Sequence, residues 1–263
     1  MRKIFLLSFL VLLVCSLPAL AEEWSKTYQV GDKPALRVET NDAAVEITRG
    51  AGHTMSARII AEGYSINSSG VRVTEHQDGD KVELQVHIPS RWGVHIGMHQ
   101  GVRVEVQVPA ETSLDLHSGD GHLRVDGIAS QARLDTGDGH IEVRNFNGAL
   151  NAHTSDGHMT IDGVLTDVNL RTGDGHIDLT VRPGSKMNGG WIIHTSDGRV
   201  EVRLPQDFNA ELYAHTGDGR IQFDIPVTVN GTIERSRVRG KVNGGGPLLE
   251  ISTGDGGIRI LKF

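Results

Sequence analysis

Ser118-Gly119-Asp120-Gly121-His122, Thr136-Gly137-Asp138-Gly139-His140, Thr154-Ser155-Asp156-Gly157-His158 and Thr172-Gly173-Asp174-Gly175-His176 repeat one phrase at a step of 18 residues. The phrase returns at Thr195-Ser196-Asp197-Gly198-Arg199, Thr216-Gly217-Asp218-Gly219-Arg220 and Thr253-Gly254-Asp255-Gly256-Gly257, after steps of 23, 21 and 37 residues. A fixed period near 20 residues indicates one structural unit stacked on itself.

The unit from Thr136 to His153 defines the repeat. After the Gly137-Asp138-Gly139 turn, Ile141 and Val143 point one way and His140, Glu142 and Arg144 the other. That period of two predicts a half-buried strand. Asn147-Gly148 predicts a second turn. Leu150, Ala152 and Thr154 then continue with Asn151 and His153 facing out. Two short strands fill the unit, and no stretch from Glu111 to Phe263 carries an apolar period of a helix. Stacked rungs lie about 4.8 Å apart. The inward columns are then Leu123, Ile141, Met159, Ile177, Val200, Ile221, Ile258 and Val125, Val143, Ile161, Leu179, Val202, Phe223, Ile260, all apolar. Outward, Asp126, Arg144 and Asp162 alternate in sign, and His117, Asp135, His153 and Arg171 form a mixed column. The expected fold is all-β, a single-stranded parallel β-helix of about 18-residue two-strand coils with an N-terminal β-rich cap.

The Gly-Asp-Gly phrase has a backbone explanation. Asp hydrogen-bonds its own backbone two residues on, and Gly supplies positive φ without strain. Asp120, Asp138, Asp156, Asp174, Asp197, Asp218 and Asp255 are therefore read as turn residues. The Ser or Thr before each turn points inward and can satisfy turn amides.

Residues 1–21 read as a signal peptide. Arg2 and Lys3 form the positive start, Ile4 to Leu17 the apolar core and Ala19-Leu20-Ala21 the cleavage site. Cys15 is the one cysteine, and Val14 before it does not suit a lipidation site. The mature chain would hold no disulfide, so stacking and core burial must stabilise it. Without Arg2 and Lys3, 24 basic side chains oppose 33 acidic ones, a net charge of −9. That balance argues against nucleic acid and anionic membranes as partners. No other apolar run reaches the length of a membrane span.

Residues 22–110 are expected to form the N-terminal β-rich cap and first coils, and residues 111–263 the β-solenoid repeats. Ala35 to Ile47 alternates around Thr40-Asn41-Asp42-Ala43, a degenerate first copy of the phrase. Val71 to Ile88 reads as a hairpin turning at Asp78-Gly79. Arg91 to Gln100 gathers Trp92, Met98, His95 and His99 into a loop read as a hairpin tip. Near the end, Arg235, Arg237, Arg239 and Lys241 give a locally basic strand, and Leu248 to Phe263 is expected to close the stack.

These motifs carry a resemblance. Val102-Arg103-Val104-Glu105-Val106-Gln107-Val108-Pro109, followed by Leu114-Asp115-Leu116-His117-Ser118-Gly119-Asp120-Gly121-His122-Leu123, resembles the core of the bacterial "putative adhesin" domain. Gly240 to Ile260 is similar to that family's closing repeat, and the resemblance covers most of residues 35–263. It implies a β-helix of the cell envelope or periplasm and carries over no catalytic residues. The His after the turn in four consecutive rungs goes beyond the family pattern.

Three function classes follow. The leading one is an exported non-enzymatic β-solenoid, an adhesin or structural protein presenting flat β faces to an unidentified envelope protein or glycan, located in the periplasm, on the surface or secreted. The second is divalent-cation binding, by the ladder His122, His140, His158 and His176 for Zn²⁺ or Cu²⁺, or by the Asp120–Asp138–Asp156–Asp174 strip for Ca²⁺. Binding through imidazoles would weaken at acid pH as they protonate. The third is a polysaccharide-acting β-helix enzyme, for which the repeated acids offer no singular pair.

Overall fold

The computed structural model describes residues 21–89, 100–229 and 234–263. The signal segment up to Leu20 and the loop at 91–99 lie outside the described residues. The first strands are β1 (Glu22–Gln29), β2 (Ala35–Thr40), β3 (Ala44–Arg49), β4 (Thr54–Glu62), β5 (Arg72–Asp78), β6 (Lys81–His87) and β7 (Gly101–Val108). Next come β8 (Ser113–Ser118), β9 (Leu123–Asp126), β10 (Gln131–Thr136), β11 (Ile141–Thr154), β12 (Met159–Thr172) and β13 (Ile177–Val181). The last are β14 (Trp191–Thr195), β15 (Val200–Leu204), β16 (Ala210–Thr216), β17 (Ile221–Phe223), β18 (Val227–Val229), β19 (Arg237–Val242), β20 (Leu248–Thr253) and β21 (Ile258–Lys262). The described residues contain no helix.

The strands stack as two faces joined at the Asp turns. The leading face, entering the turns, runs β5–β6–β2–β8–β10, then the second halves of β11 and β12, then β14–β20–β16–β19–β18. The trailing face, leaving the turns, runs β1–β4–β7–β3–β9, then the first halves of β11 and β12, then β13–β15–β21–β17. Pairing along the middle of the stack is parallel. Antiparallel strands lie at both ends: β1, β4 and β5 at one, β18 and β19 at the other. Capped edges of this kind prevent open-ended pairing between molecules.

The strict apolar alternation builds the core. Leu123 pairs with Ile141, Ile141 with Met159 and Met159 with Ile177, all buried. Thin cores of this type suit branched aliphatics, whose stiff side chains fit a pleated surface. The largest rings sit at irregular corners. Trp191 is buried against Phe208 at 5.3 Å and donates its indole N–H to Thr166 O at 3.2 Å.

Four expectations change. The final copy does not close the stack: β21 lies between β15 and β17, and β20 between β14 and β16. The inward order is therefore Val200, Ile258, Ile221, and Ile221 and Phe223 on the terminal rung are only half-buried. At the other end the chain likewise starts one rung in, since β2 lies between β6 and β8, and β3 between β7 and β9. The stack thus continues through residue 110 without interruption. Third, the second turn lies within a continuously paired strand, and the chain passes from one face to the other between Val143 and Ala149. The strand bends there through register shifts beside Val143/Phe146 and Gly148/Ala149, with Asn145 at φ 50° and Gly148 at φ 143°. Fourth, the shift after Val143 breaks the charge column between Arg144 and Asp162, although Arg144 still lies beside Asp126. Arg144 pairs with Glu142, Asp162 with Arg182 at 2.6 Å, and Asp126 accepts from Asn145 at 2.8 Å.

Lys26 Nζ meets Glu75 Oε1 at 2.5 Å and ties β1 to β5, the outermost strands of the two faces. The Lys26 ammonium holds the Glu75 carboxyl below the usual carboxylate range.

Candidate functional site

The repeated turns form one edge of the stack, and their buried hydroxyls hold it. Thr154 Oγ1 accepts the Gly157 N–H at 3.1 Å. It also lies 2.8 Å from Gly137 O and 3.1 Å from Gly139 O on the preceding rung, which share its one hydrogen. Ser118, Thr136, Thr172, Thr195, Thr216 and Thr253 reach the preceding or neighbouring rung's carbonyls in the same way. In the degenerate copy Thr40 Oγ1 accepts the Ala43 N–H at 3.2 Å. A buried amide without such a partner costs about 1–3 kcal/mol.

The turn glycines serve close approach, not positive φ. None of them is among the positive-φ residues. A Cβ on Gly139 would stand 2.1 Å from Gly121 O, and one on Gly175 1.9 Å from Gly157 O. Rungs at sheet spacing leave no room there for a side chain.

The motif Asp side chains do not make the expected turn bonds. Asp120, Asp138, Asp156, Asp174, Asp197, Asp255 and Asp218, in stack order, are exposed, and their carboxylates have no hydrogen-bond or ion-pair partner among the described residues. The inward Ser and Thr hydroxyls accept the turn amides as their position predicts, and the Asp carboxylates take no part.

The His ladder forms and takes a backbone role. His122, His140, His158 and His176 stack with ring centroids 4.9, 5.1 and 4.9 Å apart and planes within 8°. The N–H of His140 donates to His122 Nδ1 at 3.0 Å, that of His158 to His140 Nδ1 at 3.1 Å and that of His176 to His158 Nδ1 at 3.1 Å. Arg199 N–H ends the series on His176 Nδ1 at 3.1 Å. Each neutral ring must therefore carry its hydrogen on Nε2. Nothing in the sequence beyond the fixed place of His after the turn signals this bond.

A Zn²⁺ or Cu²⁺ ion needs bare ring nitrogens converging from several directions. Here Nδ1 is occupied, Nε2 carries hydrogen and the rings lie parallel, so the ladder does not fit such an ion. Ca²⁺ takes six to eight oxygens, whereas the Asp ridge offers one side chain per rung from one direction. Among the described residues no three His, Cys, Asp or Glu side chains group about a point.

The leading face carries open grooves away from the turn edge. A groove of 610 Å³ crosses the starts of β6, β2, β8 and β10 and the second halves of β11 and β12. Arg37, Asp115, Arg133, Asn151 and Asn169 line it above a floor that includes Leu114 and Leu150, and Arg37 meets Asp115 at 3.2 Å. A second groove, of 460 Å³, lies at the far end, between β16, β19 and β20. Neither was legible in the sequence, because each is assembled from short segments of several strands brought together only by their order in the stack. No helix of the described residues is long and apolar enough to cross a membrane.

No curated protein is similar to the chain. Among solved structures, a "putative cell adhesion protein" from Clostridium sporogenes is 16% identical, with 93% of this chain and 100% of that one covered and a TM-score of 0.45. A "putative adhesin" from Bacteroides fragilis is 11% identical, with 92% and 97% covered and a TM-score of 0.48. The model of the Toastrack family, DUF4097, matches residues 110–261. That match spans more than half of the chain and the whole run of Gly-Asp-Gly turns, so the protein belongs to the Toastrack DUF4097 family.

Proposed function

We propose that this protein is an exported, non-enzymatic component of the bacterial cell envelope that binds a glycan or protein partner along its flat leading face. The observation that carries the reading is the groove across β6 to β12. It is shallow and continuous, and the stack sets its polar side chains at a repeated spacing. Such a surface suits an extended polymer better than a small substrate. The acids of the turn edge form a repeated column with no distinct acid–base pair, which fits binding better than hydrolysis. The signal-like segment ending at Ala21 supports export.

The test is co-sedimentation of the mature protein, beginning at Glu22, with purified envelope polysaccharide and peptidoglycan. Wild type is compared with an Arg133→Glu, Asn151→Ala variant. Binding by wild type that the variant loses is expected. Equal binding by both, or none by wild type, would overturn the groove as the docking face. Expression of the full chain should yield a mature N-terminus at Glu22, read by mass spectrometry.

A further inference from the structure

About half of the cations among the described residues, Arg58, Arg124, Arg182 and Arg203 among them, meet a carboxylate within 4 Å. β19 gathers three that do not into one row. Arg237, Arg239 and Lys241 are exposed on one side of β19, and none has a carboxylate partner among the described residues. Alternate residues on a strand are about 7 Å apart, so the row sets three free cations along a straight line. Between Ile225 and Phe263 the sequence carries six basic against three acidic side chains, in a chain that is acidic as a whole. At physiological salt, charge is screened over about 8 Å. The acidic remainder of an elongated stack therefore does not cancel this local field.

The row also borders a groove of defined chemistry. On β16, Tyr213 lies opposite Arg239, and Glu211 opposite Lys241. Leu248 of β20 lies beside Glu211 and is 44% exposed, one of two exposed large apolar side chains among the described residues. Arg239, Lys241, Tyr213, Glu211 and Leu248 line the 460 Å³ groove. Arg offers a planar fork to a carboxylate. Tyr213 and Leu248 offer apolar surface to a sugar's C–H face, and Glu211 accepts hydrogen bonds from hydroxyls. A phosphate-dense polymer or an anionic bilayer would meet Glu211 as a repulsive charge. A saccharide with well-spaced carboxylates and many hydroxyls satisfies every group.

We infer that this end of the stack is a binding site for an acidic saccharide, with Arg237, Arg239 and Lys241 taking carboxylates and Tyr213, Glu211 and Leu248 holding the sugar rings. The inference rests on the envelope-binding reading and locates a second contact at the end of the molecule.

The test is calorimetric titration of the mature protein with an oligogalacturonate and with a neutral galacto-oligosaccharide of equal length. Three proteins are compared: wild type, Arg239→Glu with Lys241→Glu, and Lys33→Glu with Arg72→Glu, which makes the same charge change near the opposite end. Circular dichroism melts check that each folds. The expected result is binding of the acidic probe alone, weakened by added salt. It should fall by about tenfold or more in the Arg239/Lys241 variant, as expected for loss of charge-assisted hydrogen bonds, and stay within about twofold in the other. Equal losses in both variants, equal binding of the neutral probe, or tighter binding to phosphatidylglycerol vesicles would overturn it. So would no binding of the acidic probe at all, and the co-sedimentation result would then still decide the broader reading independently.

Discussion

At the scale of single residues, the turn is held by the least conspicuous member of its phrase. The Asp is what the eye finds, yet the Thr154 hydroxyl makes the buried contacts and the Asp156 carboxylate makes none. Thr154→Val should cost about 1–3 kcal/mol, because the Gly157 amide loses its buried acceptor. Asp156→Ala should change stability by less than about 0.5 kcal/mol, as surface substitutions usually do. Urea denaturation of the two variants reads the difference, and the reverse order would contradict this account of the turn. Gly139→Ala should be harsher than either, above about 3 kcal/mol, since its methyl meets backbone of the preceding rung and neither can move aside. The His ladder makes a spectroscopic prediction. Long-range ¹H–¹⁵N spectra should show His122, His140 and His158 with hydrogen on Nε2 and a bare Nδ1. The opposite tautomer would remove the rung-to-rung bond. The sequence placed these rings in a column, but a bond between a ring nitrogen and the next rung's amide is not visible in any single repeat.

At the scale of elements, the strands were legible because apolar alternation and rung stacking impose the same constraint. Ile141, Val143, Ile161 and Ile177 are buried as their parity requires. Ile161→Asp should therefore abolish secretion of folded protein, since it places an unpaired charge in a thin core. Order along the stack was not legible at either end. Period alone assigns rungs in chain order, while pairing follows whichever edges fit. β20 and β21 enter between earlier rungs because their parity matches both neighbours. The N-terminal edge carries a pH signature. Glu75 is held below the ordinary carboxylate range by Lys26, so the tie between β1 and β5 persists through that range and is lost only as the pH falls below it. Hydrogen-exchange protection of β1, relative to the intrinsic rate at each pH, should fall on acidification more than that of β10. Lys26→Met should remove the difference, and an unchanged difference would assign the effect to another group.

At the scale of the whole molecule, stack order decides what lies at the tip. Because β21 sits inside the stack, β16 and β17 form the last rung and β19 extends it on the leading face. The unpaired cations of β19 therefore lie one strand in from the end of the leading face, beside β18, and the long groove occupies its flank. The predicted mature chain has no cysteine, so engineered disulfides can read rung neighbours directly. Neighbouring strands place Cα atoms within the range a disulfide spans. Arg203 pairs in register with Leu261, whereas stacking in chain order would set Arg203 beside Asp224. The decisive measurement is disulfide formation in two oxidised double variants, followed by mass spectrometry after proteolysis. Arg203→Cys with Leu261→Cys should cross-link in nearly every folded molecule, and Arg203→Cys with Asp224→Cys should remain free. A cross-link in the second pair and none in the first would place the final copy at the end of the stack and contradict the account.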